Sequence, residues 1–254
     1  MRNWKISLCS LCVVLCSFGT TYAVDLPKQG FGLQIGWAQS VLRVNDPYNY
    51  STKDSLSQNI HLNGFKVGIL YDASYIAGFG STIGLNYTFG INNGGWEQTY
   101  KNNDLLYNRV LVNYSELELF VDWQYKFEIA KETYLMLTTG PTLQCGLVLG
   151  WRKDIREEDF YTGERKITYG DRSDGYKADK DDPDPNVANS AFKRVNVTWG
   201  VGAGFQYKRY FLRGGYDFGL IVPYKNTDFT DGFHTRGRLD QWSIKIGMYF
   251  WYEE

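Results

Sequence analysis

Residues Tyr114–Phe127, YSELELFVDWQYKF, alternate without a break. Leu117, Leu119, Val121, Trp123, Tyr125 and Phe127 fall on one face of a strand. Glu116, Glu118, Asp122, Gln124 and Lys126 fall on the other, where Phe120 is the one apolar intruder. Period-two alternation over this length specifies a β-strand with two chemically distinct faces. In a water-soluble sheet the apolar face is inside. In a transmembrane barrel it points outward, into lipid. The rest of the chain decides between the two.

Seven other segments share the pattern. Strands are expected near 31–42, 64–72, 78–90, 134–150, 195–207, 211–220 and 239–252, in addition to 114–127. Most reach the roughly 9–11 residues that a tilted membrane strand needs. Short links follow Asp72, Phe127 and Tyr207. Long polar segments fill 44–63, 91–113, 151–194 and 221–238. Short turns at one end and long loops at the other mark an outer-membrane barrel, with the short turns on the periplasmic side.

The polar faces point the same way. In 195–207, Val195, Val197, Trp199, Val201, Ala203, Phe205 and Tyr207 oppose Asn196, Thr198, Gly200, Gly202, Gly204 and Gln206. Glycine on a water-facing strand weakens it for no gain. Inside a narrow barrel, small residues make room for long charged ones. The small-polar face is therefore read as the lumen. Aromatic residues make up 17% of the chain, an excess that the ends of the strands absorb. Phe31, Tyr71, Phe79, Phe127, Tyr134, Phe205, Tyr207, Phe250 and Tyr252 lie near short-turn ends. Trp37, Phe89, Trp151, Trp199, Phe218 and Trp242 lie near long-loop ends. Two such bands match interfacial girdles. Trp242 and Phe250 are eight steps apart, roughly 20 Å of height on a tilted strand.

The N-terminus reads as a secretory signal. Arg2 and Lys5 precede the apolar run 6–18, and Thr21-Tyr22-Ala23 suits cleavage after Ala23. The domain division expected is 1–23 signal peptide and 24–254 barrel. Of the four cysteines only Cys145 remains in that mature chain, so no internal disulfide is expected. The formal net charge of −1 gives no reason to expect a nucleic-acid partner.

Residues 114–127, then YLMLTTGPTLQCGL from Tyr134, GVGAGFQY from Gly200 and LRGGYDFGL from Leu212 resemble successive strands of the small PorT-like and OmpA-like outer-membrane barrels of Bacteroidetes. The resemblance implies an all-β, eight-stranded antiparallel up-and-down transmembrane barrel in the cell outer membrane, and leaves open a place in an envelope or secretion complex. Lys245, Gly247, Phe250 and Tyr252 in the last strand resemble the C-terminal signal read by the barrel-assembly machinery. Here Glu253 and Glu254 follow the last aromatic.

An eight-stranded barrel is just wide enough to be filled by side chains. The expected lumen carries Lys66, Asp72, Glu116, Glu118, Asp122, Lys126, Arg213, Asp217 and Lys245. Buried charges must be paired, so an ion-pair network is the expectation rather than catalysis or a diffusion pore. Only His61 and His234 could act as a neutral-pH base, and neither has a nucleophile motif beside it. No enzyme activity, cofactor or metal is expected. An outer-membrane enzyme using His234 and a soluble lipocalin-like barrel are the alternatives. The run Asp179–Asp184 lacks the glycine and terminal glutamate of an EF-hand calcium loop. Expected partners are outer-membrane lipid and lipopolysaccharide, the latter beside Arg152, Lys153, Arg156, Arg165 and Lys166. The segment 151–194 is expected to contact a surface partner from a monomeric barrel. Asp159-Phe160-Tyr161 and Ile167-Thr168-Tyr169 flank Thr162-Gly163-Glu164, a hairpin pattern, and 171–189 is expected to be mobile.

Overall fold

The computed structural model describes residues 29–45, 60–76, 78–93, 97–101, 104–159, 161–174, 176, 192–222 and 236–253. Its elements are β1 (Gln29–Asn45), β2 (Ile60–Ile76), β3 (Phe79–Asn93), β4 (Glu97–Lys101), β5 (Asp104–Ala130), β6 (Thr133–Glu158), β7 (Arg165–Tyr169), β8 (Ser173–Asp174), β9 (Val195–Tyr207), β10 (Tyr210–Gly219) and β11 (Arg236–Glu253). Eight of these close a ring of antiparallel neighbours: β1, β2, β3, β5, β6, β9, β10 and β11, with β11 back against β1. Closure removes the unpaired edges that lipid cannot satisfy.

The register fixes the shape of the ring. Perpendicular to the strands, Gln29 pairs with Ala73, Ala73 with Ser81, Ser81 with Trp123 and Trp123 with Thr139. Thr139 then pairs with Val201, Val201 with Tyr216, Tyr216 with Trp242, and Trp242 with Gln39. The circuit returns to β1 at Gln39, ten residues beyond its start at Gln29. A stagger of that size over eight strands requires a tilt of about 41° and a radius of about 8 Å.

The faces sort as a lipid-facing barrel requires. Leu119 is 47% exposed and Ile246 54%, although both lie mid-strand, whereas Lys66 and Glu118 are each 1% exposed. Leu33, Ile35, Ile69, Ile83, Leu85, Leu137, Leu143, Val201, Leu212 and Ile244 share the outward face. Phe31 packs on Tyr71 and Trp251 near the short-turn end, and Trp37 on Trp242 near the other. The expected girdle needs one correction. Tyr134 is buried, because even-numbered positions of β6 point inward. At the foot of β11 the register shifts between Phe31 and Gly32, so Phe250 and Trp251 are both exposed.

Two strands are much longer than the sequence pattern indicates. β5 and β6 run 27 and 26 residues, beyond the expected 114–127 and 134–150. They stay paired as far as Leu105 and Glu158. β4 adds to β5 and β7 to β6, giving a projecting four-stranded sheet in the order β4-β5-β6-β7. The expected hairpin is present, with β6 itself as its first strand. Asp159 Oδ1 accepts the backbone N–H groups of Tyr161 (2.7 Å) and Thr162 (3.0 Å), and Gly163 takes the left-handed conformation at φ 68°.

Of the stretch 171–189, expected to be mobile, residues 175 and 177–189 lie outside the described residues. Ser173 and Asp174 of β8 pair with Trp151 and Gly150. The signal peptide and Ala23, His234 and the acidic run 179–184 lie outside the described residues. His61 is described and exposed on β2.

Candidate functional site

The inward faces build two bonded layers of polar side chains. Toward the long-loop end, Lys66 Nζ donates to Glu118 Oε2 (2.7 Å) and to Gln241 Oε1 (2.6 Å). Gln241 Nε2 donates to Glu116 Oε1 (2.7 Å) and Ser40 Oγ (3.1 Å). Asn86 and Thr88 each donate to Glu118 at 3.2 Å. One ammonium thus serves two carboxylates, the second through an amide relay.

Toward the short-turn end, Asp72 is the centre. It accepts from Lys126 Nζ (3.0 Å), Arg213 Nη2 (3.3 Å), Gln124 Nε2 and the Tyr249 hydroxyl. Arg213 also donates to Tyr249 at 2.9 Å and Thr82 at 3.3 Å. Around this layer the barrel is filled by Leu70, Phe120, Met136, Phe211 and Tyr249.

Six of the nine charges expected in the lumen fall into these two bonded layers. Lys66, Glu116 and Glu118 join one layer, and Asp72, Lys126 and Arg213 the other. Asp122, Asp217 and Lys245 are only part-buried and make no ion pair with one another. Lys245 Nζ lies 5.3 Å from the Phe120 ring centre.

The glycines make room for aromatic as well as charged side chains. A β-carbon on Gly84 would collide with the ring of Phe120, and one on Gly247 with the ring of Phe211. Gly200 against Asp217, Gly36 against Lys245 and Gly204 against Arg213 make room for charged side chains, as expected. Of the residues read as an assembly signal, Lys245 and Gly247 point inward and Phe250 outward; the side chain of Tyr252 lies outside the described set.

At the long-loop mouth Tyr176 comes so close to Gly146 that a β-carbon there would meet its hydroxyl. The Arg194 guanidinium stacks 4.4 Å from the Tyr176 ring and donates to the Gly146 carbonyl (3.2 Å). Neither contact was legible in sequence, since nothing in the loop pattern distinguishes Tyr176 from the tyrosines around it.

Above the lipid band the projecting sheet carries its own cluster. Asp154 is fully buried between Arg109 (2.7 Å) and Arg152 (2.8 Å), and Arg156 stacks 4.1 Å over Tyr107. Burial alone would raise the Asp154 carboxyl. The hydrogen bonds from Arg109 and Arg152 outweigh it and hold the group below the ordinary carboxylate range. Ile167, Tyr169 and Tyr161 are exposed on the hairpin. Among the described residues no cluster of His, Cys, Asp or Glu has the grouping of a metal site.

A closed antiparallel barrel with an apolar exterior and a polar interior is solvated only by a bilayer, and this is the architecture of integral outer-membrane proteins. The class of the protein is therefore an eight-stranded outer-membrane β-barrel. No protein-family model matches the chain, and no curated protein matches it. Among solved structures it is similar to Ail, the attachment invasion locus protein of Yersinia pestis, at 10% identity and a TM-score of 0.37, covering 89% of this chain and 100% of that one. It is also similar to Neisserial surface protein A, at 12% identity and a TM-score of 0.39, covering 87% and 97%. The N-terminal β-barrel domain of Pseudomonas aeruginosa OprF matches at 9% identity and a TM-score of 0.29, covering 88% and 99%. The class assignment rests on the faces and closure of this barrel itself.

Proposed function

We propose that the protein is a non-enzymatic outer-membrane scaffold. Its barrel serves as an anchor and its projecting β4-β5-β6-β7 sheet as a surface for binding a partner. The observation that carries this reading is the pair of strand edges above the membrane. Among the described residues β4 and β7 end the sheet order, with no further strand paired to their outer edges. All of β7 is exposed, and Ile167 and Tyr169 give its edge apolar anchors. The filled end around Asp72, Phe211 and Tyr249 argues against a diffusion pore. The resemblance to PorT-like barrels makes an envelope or secretion complex a natural setting for such an edge.

Two measurements test the reading. Trypsin added to intact cells should cut first at Arg165 or Lys166. Cleavage at Lys131 or Lys208 instead would invert the topology. A photo-crosslinking residue at Tyr169 should yield a discrete adduct in living cells, and the same residue at lipid-facing Leu119 none. An identical pattern at both positions would refute the sheet as the binding surface. His61→Ala and His234→Ala should leave the lipid A mass profile unchanged; a shift dependent on His234 would replace the scaffold by an enzyme.

A further inference from the structure

The lower half of the lipid-facing wall is not smooth. An apolar groove of about 550 Å³ runs down its outside across β1, β11, β10 and β9. Leu33, Leu212, Ile246 and Met248 line it, and Tyr207 and Tyr210 flank its short-turn end. Those two tyrosines are joined by the turn Lys208-Arg209, and both basic residues are exposed. The turn is held in place. Lys208 donates its N–H to the Glu132 carbonyl (2.9 Å) with φ 52°, and the Arg209 carbonyl accepts from Tyr249 (2.8 Å).

We propose that the groove and this turn form the seat of one anionic phospholipid of the periplasmic leaflet. The acyl chains lie along the groove and the phosphate meets Lys208 and Arg209. The proposal rests on the reading that the short turns face the periplasm. Charge complementarity selects the occupant. Of the facing groups, Lys131 and Glu132 occupy the adjoining turn, and Glu132 reaches Lys208 Nζ only at 3.6 Å with both side chains about half exposed. A solvated pair of that kind yields readily to a phosphate, which accepts more and stronger hydrogen bonds. Two basic residues at a membrane surface favour an anionic over a zwitterionic headgroup by roughly 30-fold. Lipopolysaccharide, a lipid of the opposite leaflet, is excluded as occupant by position.

The test is native mass spectrometry of the full protein extracted in non-ionic detergent, titrated with phosphatidylglycerol or phosphatidylcholine of identical chains. One phosphatidylglycerol should be retained per barrel, with phosphatidylcholine at least 10-fold weaker. Lys208→Gln with Arg209→Gln should erase the difference, and Ile246→Trp, which fills the groove, should weaken both lipids. Lys131→Gln should leave the preference intact. A preference that survives the double variant, or that falls equally with Lys131→Gln, overturns the seat. Competition by free glycerol phosphate at equal concentration would show that the headgroup alone binds, and would overturn the groove. Heat-modifiable gel mobility is read on every variant. Loss of it in the wild type would count against the barrel reading, not the lipid seat.

Discussion

Gly247 and Phe211 share one space inside the barrel: the Phe211 ring lies where a β-carbon on Gly247 would stand. Phe211 is 4% exposed and packs 4.9 Å from Tyr249, which is fully buried. A glycine in a terminal strand that invites reading as an assembly signal thus has a packing reason to be there.

Gly247→Ala should therefore destabilise the folded barrel by about 1–3 kcal/mol through overpacking. Urea titration in lipid vesicles measures it. Combining the change with Phe211→Leu, which removes the colliding part of the ring, should recover part of the loss. A silent Gly247→Ala would mean that Phe211 has another place to go.

Lys66 bonds one carboxylate directly and a second through Gln241. Lys66→Met strands a buried Glu118 without its cation and should cost about 3–5 kcal/mol. Lys66→Met with Glu118→Gln should be much less harmful than the sum of the single changes, because the uncompensated charge goes with the second substitution. Additive losses in a double-mutant cycle would contradict the bonded layer.

Val121 pairs with Ile83 on the lipid face. Val121→Arg places a cation near the middle of the apolar band and should cost about 2–4 kcal/mol of stability in bilayers. A neutral result would indicate water on that face, as in a lipocalin-like barrel.

Asp154 lies outside the membrane and its folded carboxyl is held below the ordinary range by Arg109 and Arg152. A depressed folded value means that the carboxylate stabilises the projecting sheet at neutral pH. That contribution is fully present above the unfolded carboxylate value near 3.8 and is lost as pH falls below it, through the lower folded value. Amide exchange across β5 and β6 near Arg109 and Asp154 should quicken in that acid window. Asp154→Asn should abolish the acid dependence and leave the barrel strands unaffected.

The eight wall strands were legible because lipid on one side and charge on the other force alternation, as in Leu117 to Phe127. The upper reaches of β5 and β6 were not. That stretch stands above the lipid band, so residues such as Arg109, Lys153 and Asp154 carry no period-two apolar signal, and it looks like loop. The interior was half legible. Phe120 stood out as an apolar residue on a polar face, and it does fill the lumen. Phe211 and Tyr249 did not stand out, because Tyr249-Phe250-Trp251 is an unbroken aromatic run that hides which ring turns inward. The charged residues could be listed but not paired. Partnership depends on which strand faces which across the lumen.

The cluster of Leu70, Met136, Phe211 and Tyr249 wrapped around Asp72 has an electrical consequence. A bilayer survives as a capacitor only if its proteins do not short-circuit it. Side chains that fill that end of the cylinder leave no open water column through which small ions could cross. In a planar bilayer the protein should insert without current steps, and only trimming both Phe211 and Met136 to alanine should open a measurable leak.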